Sequence, residues 1–240
     1  MPFLPYLHRL MNRETLSAED ARQAMSAILA GEATTAQIAA FATALHLKGE
    51  TADELRGLAE AMRESSLQVH HGITGEPVLD TCGTGGDAQG TLNISTIAAF
   101  VAAGAGVKVA KHGNRSYTSR CGSADLLEAL GARIDLSPEI TGQAIREIGI
   151  GFLFAPHYHP AMKHAAQARA ELKYRTAFNL LGPLTNPARA TAQLVGAPSP
   201  RAAELMAMTL ASLGLQRGYV VHGADGLDEI STTGQIGRAS

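Results

Sequence analysis

The sequence predicts a small all-helical domain followed by a larger α/β domain with a mainly parallel central sheet. The first observation behind this is size and balance. The 240 residues are 45% apolar and 18% charged, enough for one large core with a smaller companion and typical of a chain folded throughout. The second is helical periodicity without any strand signal up to about residue 66. The third is a change of texture near residue 76, where short β-rich runs begin to alternate with amphipathic stretches, the pattern of strands joined by crossover helices. The texture alone puts the boundary between the helical and the α/β part near residue 70.

Each element has its own warrant. "SAEDARQAMSAILAG", "TTAQIAAFATALHLKG" and "TADELRGLAEAMRESS" open on Ser or Thr and carry apolar residues at helical spacing, and two of the three close on glycine. "PVLDTC", "VKVAK", "GFLFA", "AQLVGA" and "GYVVHG" read as strands, and "SADLLEALGA" and "SPEITGQAIREIG" as helices between them. In a parallel sheet of this kind ligands gather at the carboxyl ends of the strands, so the loops there are where chemistry is expected.

Composition narrows the function. A net charge of -2 disfavours a protein that holds nucleic acid through many phosphate contacts. Two cysteines, Cys82 and Cys121, without C-x-x-C spacing, argue against a disulfide framework or a zinc site and suit a reducing compartment. The opening "MPFLPYLHRLM" has no long apolar run, and no stretch of about 18 apolar residues occurs. A cytoplasmic protein with a small partner is the expectation.

The stretch "DTCGTGGDAQGTLNIST", residues 80–96, follows the first strand. Gly83, Gly85 and Ala88 satisfy the loose dinucleotide pattern G-x-G-x-x-A, but that reading needs an acid at the end of the second strand to hold ribose hydroxyls. Lys111 stands there instead, and a cation suits a phosphate better. A plain tight turn would explain one or two glycines but not Asp87, Asn93, Ser95 and Thr96 so close behind them. Backbone amides, hydroxyls and the start of a helix at Ser95 together make a nest for phosphate oxygens. Cys82 reads as a small loop filler.

Three further motifs surround this one. "KHGNR" places Lys111, His112 and Arg115 within five residues of a strand end, directed into the ligand crevice, with Asn114 as a neutral partner. Ser123 reads first as a helix cap. In "HGADGLDEIS", Asp228 and Glu229 can approach one hard cation, magnesium being the fitting ion beside a phosphate nest. In "FAPHYHPAMKHAAQARAELKYRTAFNLLGPLTNP", His157 and His159 lack a third ligand at zinc-like spacing, His164 reads as surface, and Arg169 could fork onto an organic carboxylate, although a helical surface arginine is the commoner case.

Taken together, "DTCGTGGD", "NIST", "KHGNR" with "GSADLLEALG", "FAPHYHPAMK", "NLLGPLTNP" and "DGLDEIS" resemble the anthranilate phosphoribosyltransferase family, in the same order and over nearly the whole chain. The resemblance implies magnesium-dependent transfer of phosphoribose from 5-phosphoribosyl 1-pyrophosphate to the amine of anthranilate, in tryptophan biosynthesis, by a homodimer formed through the helical domain, which it gives as 1–70 completed by about 166–186, beside an α/β domain over 71–165 and 187–240. It assigns catalytic roles to Lys111 and Asp87. Gly83, Gly85, Gly86, Asp87, Thr91, Asn93, Ser95, Thr96, Lys111 and Ser123 would bind the phosphoribosyl donor. Gly83, Asn114, His159 and Arg169 would receive anthranilate, and Asp228 and Glu229 would hold Mg2+, with Ser95 contributing to a second ion. A pyrimidine nucleoside phosphorylase shares a related glycine loop, but "NLLGPLTNP" and the Asp228-Glu229 pair favour the transferase. A non-catalytic nucleic-acid-binding relative would need a broad basic surface. Family members continue beyond "STTGQIGRAS", so part of the α/β domain is expected to be absent.

Overall fold

The computed structural model describes residues 3–85, 92–116, 121–232 and 234. Four helices come first, α1 (Leu4–Met11), α2 (Ala18–Leu29), α3 (Thr35–Lys48) and α4 (Ala52–Ser65). The last three start on capping boxes, Ser17 with Asp20, Thr34 with Gln37 and Thr51 with Glu54, each satisfying two backbone N–H groups that the first turn leaves orphaned. Gly49 ends α3 at φ 90°, a left-handed conformation that favours glycine. Glu54 also locks this layer from within. Fully buried, it accepts from Leu16 N at 2.9 Å and from Lys48 Nζ at 2.9 Å.

The α/β part follows as β1 (Val78–Asp80), α5 (Ile94–Gly104), β2 (Lys108–Gly113), α6 (Ser123–Ala129), α7 (Pro138–Glu147), β3 (Ile150–Phe154) and the short α8 (Ala155–Tyr158). Next come α9 (Lys163–Leu172), α10 (Ala177–Leu184), β4 (Ala192–Gly196), α11 (Pro200–Ser212) and β5 (Arg217–Val221). The five expected strands are all present. They form one sheet in the order β3-β2-β1-β4-β5, every neighbouring pair parallel.

Alternation along β3 shows how the sheet is covered. Leu153 joins Ala110, Ile145 of α7 and Tyr158 in one apolar cluster, whereas Phe152 and Phe154 pack with Ala124 and Leu127 of α6 on the other face. A third and larger cluster runs from α1–α4 through Ala165 and Ala168 of α9 and Phe178 and Leu181 of α10 to Val195, Met206 and Val220. The helical layer therefore shares its core with the β4–α11–β5 end of the sheet. Helix α5 leaves Ile97, Phe100 and Val101 exposed.

Candidate active site

The strand order creates a crevice. The chain moves outward from β1 to β2 and β3, then returns to lay β4 on the other side of β1, so the loops leaving β1 and β4 diverge at their carboxyl ends, the usual ligand position in open α/β sheets. The glycine loop leaves β1 here. Thr84 donates from its N–H to the Gly196 carbonyl at 3.0 Å, tying the loop to the end of β4. Gly85 has φ 62°, a region that L side chains rarely adopt. Its carbonyl accepts from Arg175 Nη1 at 2.8 Å.

Beneath this loop lies a buried polar layer. Lys111, 3% exposed on β2, donates from Nζ to Thr81 O and Thr81 Oγ1, both at 3.2 Å, and to Ser95 Oγ at 3.3 Å. Thr81 Oγ1 in turn donates to the Ser95 carbonyl at 2.8 Å, which fixes the first turn of α5 over the strand end. Burial holds the Lys111 ammonium below the usual lysine range, against the opposing pull of Cys82, Asp80 and Glu229. Asp80 is saturated with donors: His112 N at 3.1 Å, Asn186 Nδ2 at 2.7 Å and Gln193 Nε2 at 3.4 Å. Burial nevertheless pushes its carboxyl up to about 6. Burial likewise pushes the Cys82 thiol up, so it stays protonated and is no nucleophile at neutral pH.

On the other side of β2, His112 and His159 stack obliquely with ring centroids 5.2 Å apart. Burial drives His112 down to about 3, and the neighbouring His159 adds to the effect. His159, 5% exposed, is held at about 4 by burial. His112 Nδ1 lies 3.0 Å from the Gly182 carbonyl. A carbonyl only accepts, so the neutral ring carries its proton on Nδ1.

The basic cluster expected at "KHGNR" is smaller than its sequence. His112 is neutral. Arg115 is exposed and turns to Asp125 at 3.0 Å and Glu128 at 2.5 Å, with Phe154 under its guanidinium. An ion pair with two carboxylates on α6 outcompetes the crevice, so of these three residues Lys111 is the one that stays there as a cation. Ser123 is also not the cap: Gly122 occupies that position and Ser123 is the first helical residue. Asp125 accepts from both Gly122 N at 2.8 Å and Ser116 N at 3.0 Å, and a Cβ at residue 122 would overlap the Ser116 backbone. Ser123 Oγ instead donates to the Asn114 carbonyl at 3.2 Å. Helix α5 similarly starts one residue early, at Ile94 with Asn93 as its cap residue.

The acidic loop closes the crevice over β4. Gly223 N donates to the Leu227 carbonyl at 2.8 Å and Leu227 N to Asp225 Oδ1 at 3.2 Å, while Ser231 Oγ donates to Asp225. Asp225 thus shapes the turn that presents Asp228 and Glu229. Gly196 is where this loop touches the sheet, for a Cβ there would overlap the Asp228 carbonyl. Both acids are half-buried. Glu229 raises the affinity of Lys111 for its proton and Asp228 does the same for Arg175, which places the acids within electrostatic reach of both cations.

Residues 4–66 match the glycosyl transferase family helical bundle domain and residues 75–237 the a/b domain of the same family. An anthranilate phosphoribosyltransferase of Solibacter usitatus is 65% identical over 98% of this chain and 69% of its own length. The chain belongs to the anthranilate phosphoribosyltransferase family. A solved member from Thermus thermophilus superposes with a TM-score of 0.87 at 51% identity, over 94% of this chain and 67% of that one. A second, from Saccharomyces cerevisiae in complex with PRPP and Mg, gives 0.86 at 30% identity over 98% and 69%. The chain spans about two thirds of the length of these relatives.

Among the family's expected site residues, Gly86, Asp87 and Thr91 lie outside the described residues. The structure brings Gly83, Gly85, Ser95, Thr96 and Lys111 to the β1 end. Asn93 Nδ2 donates to the Gly122 carbonyl at 3.4 Å, linking this wall to the "KHGNR" loop. Asn114 is exposed at the end of β2. Arg169 lies on the exposed side of α9 with its guanidinium over the Phe178 ring, 5.9 Å from the centroid. Asn186 and Gln193, which hold Asp80, and Arg175, which holds Gly85, are the residues that sequence reasoning missed. A cavity of about 650 Å³ against Pro77, Thr191 and Arg217 opens where strands begin, at the wrong end for this chemistry.

Proposed function

We propose that this chain performs its family's reaction, moving phosphoribose from 5-phosphoribosyl 1-pyrophosphate to the amine of anthranilate and releasing pyrophosphate. The observation that carries the reading is the pairing of walls at one switch point: a buried lysine under a glycine loop and helix start on one side, two half-buried carboxylates on the other. The loop amides and the α5 N-terminus offer partial positive charge to phosphate oxygens. Lys111 adds a full charge in a site of low dielectric, where it counts for more than in water.

Loss of pyrophosphate leaves positive charge on the ribose and negative charge on the departing oxygens, so electrostatics is the main catalytic requirement. Anthranilate's aromatic amine is neutral near pH 7 and needs alignment more than deprotonation. The neutral His112–His159 pair fits that need, since it brings no charge beside the acceptor. Arg169 suits the anthranilate carboxylate by its fork geometry. Gly86, Asp87, Thr91 and Ser123 would bind the donor as well, as the family's pattern assigns.

Asp228 and Glu229 would hold Mg2+ through hard carboxylate oxygens, and Ser95 Oγ would contribute to a second ion. When bound, the ion would offset charge on the pyrophosphate. The exposed Leu4, Met11 and Leu47 of the helical layer support homodimerisation there, and the packing of α9 and α10 on α2–α4 supports a helical domain of 1–70 completed by about 166–186. No helix among the described residues is long and apolar enough to cross a membrane, and a cytoplasmic location suits the two free cysteines.

The test is loss of anthranilate fluorescence with phosphoribosyl pyrophosphate and Mg2+, alongside a polypeptide extended to its relatives' length. Turnover that requires all three components supports the reading. No turnover in either polypeptide would sink it.

A further inference from the structure

We propose that Arg175 is a positioning residue of the donor site, holding the glycine loop through the Gly85 carbonyl. It rests on the functional reading above. Arg175 stands in the link from α9 to α10, just after Lys173 ends α9 in a left-handed conformation at φ 52°. Its Nη1 donates to Gly85 O at 2.8 Å across ninety residues of sequence. Its Nη2 is buried and has no hydrogen-bond partner among the described residues.

A surface arginine would turn to water, which costs nothing. This one gives up part of its hydration, and burial holds it below the usual arginine range while Asp228 opposes that effect. What it gains is a fixed bond to the glycine loop at Gly85 and an N–H available for a further oxygen. A planar fork can serve two acceptors at once, whereas an ammonium presents a point charge. The link it stands on connects two helices of the helical layer, so the bond also ties that layer to the loop. The ligand chemistry that such a brace favours is the phosphorylated donor, not the aromatic acceptor.

The experiment measures phosphoribosyl pyrophosphate binding with Mg2+ by calorimetry, and KM for anthranilate separately, in the wild type, Arg175→Ala and Arg175→Lys. Losing one charge-assisted bond predicts donor binding about 10- to 150-fold weaker in Arg175→Ala. The anthranilate KM should stay within about threefold, because the Thr84–Gly196 bond still seats Gly83 and the other acceptor residues stand on other elements. Guanidinium added to Arg175→Ala should restore part of the donor affinity, which a merely structural defect would not allow. Should the alanine variant fail to fold, Arg175→Lys carries the test, with donor binding weakened at an unchanged melting temperature. Unaltered donor binding, or an equal loss for both substrates, overturns the role of Arg175. A wild-type chain that binds no phosphoribosyl pyrophosphate overturns the functional reading instead.

Discussion

Acidification from pH 7 to 5 should destabilise this protein through two imidazoles. His112 and His159 are held neutral, at about 3 and about 4, against an ordinary value of 6.5. The unfolded chain therefore binds more protons than the folded one below pH 6.5. The stability due to each ring is fully present above 6.5 and is lost as pH falls toward the folded value. At pH 5 each ring has lost about 1.5 pH units of that advantage, about 2 kcal/mol at 1.36 kcal/mol per unit. Together they remove about 4 kcal/mol. Asp80 runs the other way: its carboxyl is raised to about 6, so its contribution is present below its unfolded value and lost as pH rises through 6. Between pH 6 and 5 it returns about 1.4 kcal/mol. The net loss of about 3 kcal/mol is a large part of a stability that is typically about 5–15 kcal/mol. Urea unfolding followed by far-UV circular dichroism at the two pH values measures it. His112→Gln and His159→Gln should each narrow the gap by about 2 kcal/mol. Equal stability at both pH values, or a gap that survives both substitutions, would refute the assignment.

Three other outcomes follow from the same structure. Glu54→Ala strands the Lys48 ammonium and the Leu16 and Thr51 N–H groups, and denaturant titration should show a loss of about 3–5 kcal/mol, the range for breaking a buried pair; a loss under 1 kcal/mol would contradict it. Gly196→Ala drives a Cβ into the Asp228 backbone and should cost about 1–3 kcal/mol of stability while raising the Mg2+ concentration needed for half-maximal rate; an unshifted Mg2+ titration would separate Gly196 from the acidic loop. Lys111→Met should lower kcat/KM for the donor by about 10²–10³, the range for removing one preorganised charge-stabilising donor, and steady-state kinetics with less than threefold change would remove Lys111 from the mechanism.

Much of the fold was legible because local signals agreed with one another. Ser17, Thr34 and Thr51, the Ser and Thr on which the three helical stretches open, are their caps, and five short apolar runs became five parallel strands. The misplaced start of α6 has a clear cause: a serine can occupy the first helical turn when another group satisfies the leading N–H groups, as Asp125 does there. Side-chain destinations were harder to read. Nothing local tells that Arg115 turns outward to α6 while Lys111, four residues earlier, turns inward to Thr81 and Ser95. Asn186, Gln193 and Arg175 reach their partners across about a hundred residues, so only the folded sheet order brings them to the crevice. For Asn186 and Gln193 the one hint in the sequence is an acid, Asp80, at the end of an apolar strand, which needs donors once it is buried.

The central claim is that the crevice between β1 and β4 transfers phosphoribose to an aromatic amine. Simultaneous measurement of pyrophosphate released and anthranilate consumed, at saturating donor and Mg2+, tests it most directly. The account predicts one pyrophosphate per anthranilate, with N-(5-phosphoribosyl)anthranilate as the product mass and no release when anthranilate is omitted. Pyrophosphate release that is independent of anthranilate, or anthranilate loss without pyrophosphate, would contradict it.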